Sequence, residues 1–421
     1  MPTRNLVLPL EDAWQNVIDA MLRERGAPTT SDVRRLAPKV MELSRAYNAS
    51  LASHGKGLNA RALALEARIG FSFARDVPKG AGAVRELVAF GKLAIPQDRP
   101  LRIVDVGAGL GAMTWGIARA LEAANQSGKI DALFIDEDEA VLSLAKAMAN
   151  KAKMALPAAP PAPTGKVKLT VRTHAARIGS TLRIPHADLI VIGQTLSELD
   201  GALAPDERAA RHAAMLAEWL ATSVRQGGAL VVVEPALRER TRHLHAVREA
   251  LLAAGKAHIF APCLHDRSCP VLAAQGQWCH DDLDVDLPTW LAPLARGAGL
   301  RWQGLSFSYL VLQAPRAGEN GGNDENSLAP TSRGLHLRVI SDVMRTKGKV
   351  EIFGCTSEGE RVRFRRLDRD IHRNNLAWEN LRRGDIVTLL PSADAPAHAP
   401  IEEGGRLRPD VTVQTRPGRT T

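Results

Sequence analysis

The chain has 421 residues, with 55 Lys and Arg against 46 Asp and Glu, for a formal net charge of +9. That length predicts two or three domains with a sizeable core, and the sequence has no uninterrupted apolar run of about 18 residues, which excludes a helical membrane span. Four cysteines in 421 residues, behind an opening "MPTRNLVLPLEDAWQ" that lacks an apolar leader, predict reduced thiols in a bacterial cytoplasm rather than a disulfide-stapled secreted domain.

Residues 1–95 read as a helical region. "LEDAWQNVIDAMLRERG" and "SDVRRLAPKVMELSRAYNASLA" space their apolar residues at three and four, and Ser31 is placed to cap the second helix. From residue 96 to 313 the pattern changes to short apolar runs, "LRIVDVG", "ALFIDED", "VKLTVRT", "ADLIVIG" and "GALVVVEP". Helix-length segments separate them, which predicts an α/β domain with a buried, parallel, Rossmann-like sheet. "LPAAPPAPTG" (156–165) is a surface loop before the third strand.

The first strand leads into "IVDVGAGLGAM". Asp105 ends the strand, and Gly107, Gly109 and Gly111 follow around Ala108. Glycines there let the backbone turn tightly and approach a ligand closely. Dinucleotides and adenosyl cofactors both use such a loop. The acid two residues before the first glycine, and a second strand ending in Asp136, favour S-adenosylmethionine. A dinucleotide site would want its third glycine at the sixth position, where Ala112 stands and is tolerated, so a dinucleotide stays the alternative. The fourth strand continues as "DLIVIGQTLSELD", which puts Gln194, Ser197 and Glu198 at the carboxyl edge, where open α/β sheets bind ligands. Gln194 is a cofactor contact there, and Glu198 is either a base or the start of a helix. The chain has no Asn-Pro-Pro-aromatic signature at this position and no Pro-Cys nucleophile, so a methyl acceptor does not follow, and cofactor binding without transfer stays open.

Cys263, Cys269 and Cys279 fall within seventeen residues of the segment 261–282, "APCLHDRSCPVLAAQGQWCHDD", and Cys355 lies far downstream in "EIFGCTSEG". Four thiols closing on one centre would tie the large domain to the last small one, as a metal or an iron–sulfur cluster does. Buried cysteines as plain packing are the alternative, although the Pro, His and Asp around them give no core periodicity. Zinc suits four thiolates as well, with His265 and His280 near enough in sequence to substitute.

The Gly-, Asn- and Pro-rich stretch 314–334 is a linker. Beyond it, residues 335–392 offer short strands with glycine turns, which predict a small OB-like β-barrel carrying the fourth cysteine, and 393–421 reads as a disordered tail. Arg361, Arg363, Arg365, Arg366, Arg369 and Arg373 crowd into thirteen residues of this region. They are either a phosphate-binding footprint or a solvated strand face.

"VDVGAGLGAM" with "LFIDEDEAVLSLAKAMA" resembles class I S-adenosylmethionine-dependent methyltransferases over residues 100–235. The resemblance implies that Asp105 and Gly107 to Gly111 face the methionine moiety and Asp136 the ribose. Read on through "VVVEPALRERTRHLHAVREALL" into the cysteine segment, the chain is similar over residues 60–390 to the methyltransferase-like family that associates with the small ribosomal subunit, known from mitochondria and with bacterial relatives. That family pairs the methyltransferase domain with an "APCPHD..CPL...WCHF" segment and a cysteine in a C-terminal β domain. The resemblance implies a [4Fe-4S] cluster on Cys263, Cys269, Cys279 and Cys355, and a monomer acting on the small subunit and its rRNA by methylation or during assembly. Leu264, Val271 and Asp281 depart from the pattern. A small-molecule methyltransferase with a structural zinc, and a non-catalytic RNA-binding factor, are the competing readings.

Overall fold

The computed structural model describes residues 5–49, 65–155, 166–300, 304–315, 334–391 and 399–415. The loop expected at 156–165 and nearly all of the linker lie outside the described residues. Among these residues no helix is long and apolar enough to cross a membrane.

Helices α1 (Ala13–Glu24) and α2 (Val33–Ala49) lead the chain. Trp14, Val17, Ile18, Met21 and Leu22 form one buried stripe on α1, as the three–four spacing requires. The cap of α2 is Asp32 rather than Ser31: its Oδ1 accepts from Arg35 N at 3.4 Å. After a short helical and π turn comes α3 (Phe73–Ala89), buried at nearly every position. It crosses α4 (Ala112–Ala123) in backbone contact. A Cβ on Gly80 would lie 2.2 Å from Met113 O, and one on Gly116 2.0 Å from Val77 O. α3 is thus part of the sheet's own helical layer, not a separate lead-in.

The first sheet comprises β1 (Leu101–Val106), β2 (Gly128–Asp136), β3 (Val167–Ala175), β4 (Ala187–Gly193), β5 (Val224–Pro235), β6 (His258–Ala261), β7 (Asp281–Leu283) and β8 (Leu305–Gln313). Helices α5 (Glu139–Ala155), α6 (Pro205–Thr222) and α7 (Arg238–Ala253) connect them. The order is β3-β2-β1-β4-β5-β8-β6, with β7 on β8. β1 to β5 are parallel, but β8 runs antiparallel to β5, β6 and β7. The sheet is therefore mixed, where a parallel one was expected, because an apolar run such as "FSYLVLQ" is buried on both faces in either direction and carries no sign of polarity. This is a class I methyltransferase-like α/β fold, with its topological switch point between β1 and β4.

The second sheet is antiparallel: β9 (Leu335–Val339), β10 (Met344–Thr346), β11 (Lys349–Thr356), β12 (Arg361–Leu367), β13 (Ile386–Leu390) and β14 (Thr412–Thr415). It curls around Leu337, Ile352, Phe364, Trp378, Val387 and Leu389. The tail expected to be disordered supplies β14, because Val411 and Val413 complete this core. On β12 the period of two turns Phe364 and Arg366 inward. Arg366 is wholly buried and ion-paired to Glu379, so it is not a phosphate contact as expected.

A buried polar cluster docks the two sheets. Arg338 of β9 pairs with Glu86 of α3 at 2.6 Å and donates to Gly384 O at 2.9 Å. Arg85 pairs with Asp281, and Tyr309 Oη donates to Glu86 at 3.0 Å. Asp281, one of the departures from the family pattern, thus has its own arginine.

Candidate cofactor crevice and cysteine centre

At the carboxyl ends of β1 and β2, Gly107, Gly109 and Gly111 take φ of 69°, 53° and 83°, where side chains are strained. A Cβ on Gly107 would stand 2.2 Å from Thr195 Oγ1, and one on Gly111 2.3 Å from the Phe134 ring. Turn geometry and crowding therefore both demand glycine. Ala108 N donates to Ile135 O at 3.1 Å, which ties the loop to β2. The Asp136 carboxylate accepts from Gly109 N at 2.9 Å and Asp138 N at 3.1 Å, which aims it across the glycine loop.

Asp105 is buried. Its Oδ2 accepts from Thr114 Oγ1 at 2.7 Å, while Oδ1 has no partner. Burial pushes its pKa up to about 7. A carboxyl raised in the folded state holds its proton more tightly there, so its stabilising contribution is present below pH 4 and is lost as pH rises toward 7. Asp105→Asn is expected to match the wild type near pH 4 and to exceed its stability at pH 8. Urea unfolding at the two pH values measures this, and an unchanged difference would refute the assignment.

The carboxyl end of β4 holds Gln194 in a left-handed conformation (φ 56°), pinned by its N–H to Val233 O at 2.6 Å. Its Oε1 accepts from Lys79 Nζ at 3.2 Å. Lys79 also pairs with Asp76 at 2.9 Å, and Asp76 takes Arg75 at 2.8 Å. Glu198 lies in the short turn Leu196–Glu198. The deeply buried carboxylate at this edge is instead Glu234 at the end of β5, whose Oε1 accepts from Ser197 N at 3.1 Å. Burial raises its pKa. Sequence reasoning missed Glu234, Lys79 and Asp76. Glu234 was signalled by closing "VVVEP" at a strand end, whereas nothing marked Lys79 inside a helix.

The four cysteines come together from four places: the end of β6, the start of the turn Pro270–Ala273, the residues before β7, and β11. All four are free thiols. Cys269, Cys279 and Cys355 share an apolar cluster with Val271, Ile340 and Phe353. Burial pushes the Cys279 thiol well up, and so do the charges of Cys263, Cys269 and Cys355; the Cys355 thiol is pushed up to about 12 by burial, then by Cys263 and Cys269. Around them stand one buried cation, Arg248, and two histidines that burial keeps neutral. Arg248 is fully buried, and Cys263, Glu249 and Cys269 outweigh the desolvation that opposes its charge. His265 Nδ1 accepts from Arg267 N at 3.1 Å, which leaves Nε2 as the donor 3.4 Å from Cys355 Sγ. His245 Nδ1 lies 3.3 Å from Cys269 Sγ. Among the described residues no group of three or more His, Cys, Asp or Glu side chains is placed to hold a metal ion.

The family model described as mitochondrial small ribosomal subunit Rsm22 matches residues 71–370. No curated protein matches the chain. Among solved structures, a protein assigned as a class I S-adenosylmethionine-dependent methyltransferase from Listeria monocytogenes is 14% identical, with 74% of this chain and 90% of that one covered at a TM-score of 0.36. Magnesium protoporphyrin IX methyltransferase from Synechocystis, solved with bound SAM, is 12% identical over 65% and 97%, at 0.31.

Proposed function

The chain belongs to the Rsm22 family of the mitochondrial small ribosomal subunit, and from that premise we propose that it binds S-adenosylmethionine and acts on the small subunit, in rRNA methylation or in assembly. The crevice supports cofactor binding. The glycine loop makes its tight left-handed turn at the carboxyl edge of β1, Asp136 stands across it, and the unpartnered Asp105 Oδ1 suits a cationic group.

We take Cys263, Cys269, Cys279 and Cys355 to hold a [4Fe-4S] cluster. The observation that carries this is the meeting of Cys355, from the second sheet, with three cysteines of the first, beside the buried charge of Arg248 and the His265 Nε2 donor, which favour anionic sulfur. A single zinc on the same four thiolates is the competing occupant, and it would draw its ligands to about 2.3 Å, with sulfurs ~3.8 Å apart. A cluster spreads its thiolates more widely. When bound, it would supply the irons that the four cysteine thiolates share, linking one sheet to the other and making folding depend on metal.

The curled sheet supports an OB-type barrel. The segment from Leu407, which donates to Arg365 O of β12 at 2.8 Å, to β14 on β13 spans the gap between the sheet's edges. Arg361, Arg363 and Arg365 share its outer strand face. Arg361 stacks 3.9 Å from the Phe353 ring centroid, Arg363 pairs with Glu351 at 2.9 Å, and Arg369 and Arg373 are exposed beyond them. Titrating the full chain with small-subunit rRNA over a salt series tests this. Arg369→Ala and Arg373→Ala are each expected to flatten the slope of log K against log salt by roughly 0.7–0.9, whereas Arg366→Ala should lower stability instead. No binding at low salt would overturn the ribosomal reading.

A further inference from the structure

We propose that Trp278, in the cysteine segment, is a stacking platform for one unpaired base of the small-subunit rRNA, an assignment that rests on the ribosomal reading. Trp278 is the one exposed tryptophan among the described residues, at 36%. Its ring is nevertheless fixed. Nε1 donates to Ala236 O at 3.0 Å, and the His280 ring lies 5.9 Å away, 24° from parallel. The loop that carries it is fixed too. The Arg242 guanidinium of α7 donates to Leu272 O at 2.9 Å, Ala274 O at 3.1 Å and Gln277 O at 2.9 Å. One side chain thus holds the residues just before the ring, so a ligand would find the platform already formed and would not have to order it on binding.

Its place in the fold points the same way. Ala236 directly follows β5, which lies beside β4. The indole therefore stands at the carboxyl edge where the glycine loop and Gln194 also lie, and where open α/β sheets take their ligands.

The surroundings suit a base better than a protein. Among the described residues from β3 to β8, Leu237 is the only other large apolar side chain left exposed, and it directly follows Ala236. Two such side chains make a patch fit for one base, far below the area that a stable protein interface buries. Stacking asks only for a π-face, which every base has, and RNA presents unpaired bases in its loops and bulges. Arg238 is exposed beside Leu237, but Glu239 is exposed next to it. The attraction for phosphates therefore comes from the chain's net charge of +9 and not from this turn, and the contact at Trp278 is non-ionic.

Binding of the full chain to a short unstructured oligouridine and to an RNA duplex of the same length, over a salt series, tests the platform. Trp278→Ala is expected to weaken the single strand roughly tenfold and to leave the duplex unchanged. The slope of log K against log salt should stay as in the wild type, since no phosphate contact is lost. Trp278→Phe, which keeps a ring, should lose much less. Ultraviolet crosslinking of the wild type to the same oligonucleotide carrying iodouracil is expected to mark the peptide that holds Trp278, and it decides the matter if the alanine variant fails to fold. Equal weakening of strand and duplex, no weakening, or a crosslink map without that peptide overturns the platform while the ribosomal reading stands. A wild type that is dimeric and becomes monomeric on Trp278→Ala overturns it in favour of a contact between copies. No binding of either RNA at low salt removes the ribosomal reading and the platform with it.

Discussion

Replacing Arg338 with methionine is expected to lower the unfolding free energy by about 3–5 kcal/mol, the range for stripping one partner from a buried ion pair. Arg338, Glu86, Arg85, Asp281 and Tyr309 are all buried, and they come from three parts of the chain: α3, the first sheet and the second. Two arginines balance two carboxylates, and Arg338 makes the 2.6 Å contact that crosses between the sheets. Its loss leaves Glu86 with the Tyr309 hydroxyl and with Arg85 at 3.8 Å, while Arg85 is already committed to Asp281. One buried negative charge is then uncompensated. Glu86→Gln in the same chain should recover part of the loss, because it removes that charge. Chemical denaturation of the two variants measures both effects, and a change under about 1 kcal/mol for Arg338→Met would show that the cluster does not dock the sheets.

Cys355→Ser is expected to destabilise the chain as much as Cys263→Ser, although the two residues lie on different sheets. Each substitution leaves the proposed centre one thiolate short, and the stability given by bound metal is lost with the site rather than with the individual residue. If the centre contributes only about 3 kcal/mol, either variant should melt roughly 6–12 °C below wild type in a domain of this size. As ordinary packing the two would differ, because their surroundings differ: Cys355 shares the apolar cluster of Val271, Ile340 and Phe353, and Cys263 packs against the core under α6 and α7. Coincident melting of wild type and Cys355→Ser would show that the two sheets share no centre.

The strands that build the crevice were legible because β1, β2, β4 and β5 are runs of branched apolar residues ending in Asp, Gly or Glu at one edge. Parity along "RVRFRRL" contained the burial of Arg366, since it shares a face with Phe364, although charge density along the chain hid it. Strand β14 was hidden by its composition: in "RLRPDVTVQT" two valines complete a core whose other members run from Leu337 to Leu407. The direction of β8 and the burial of Lys79 left no local trace. Both are decided by what packs on either side, as is the pairing of Asp281 with Arg85, 196 positions apart.

The most direct test is anaerobic purification of the full chain, with its visible spectrum and its iron, sulfide and zinc content. A brown protein with about four irons and four sulfides per chain is expected. A colourless protein carrying one zinc, or no metal, would contradict the cluster proposed to join the two sheets.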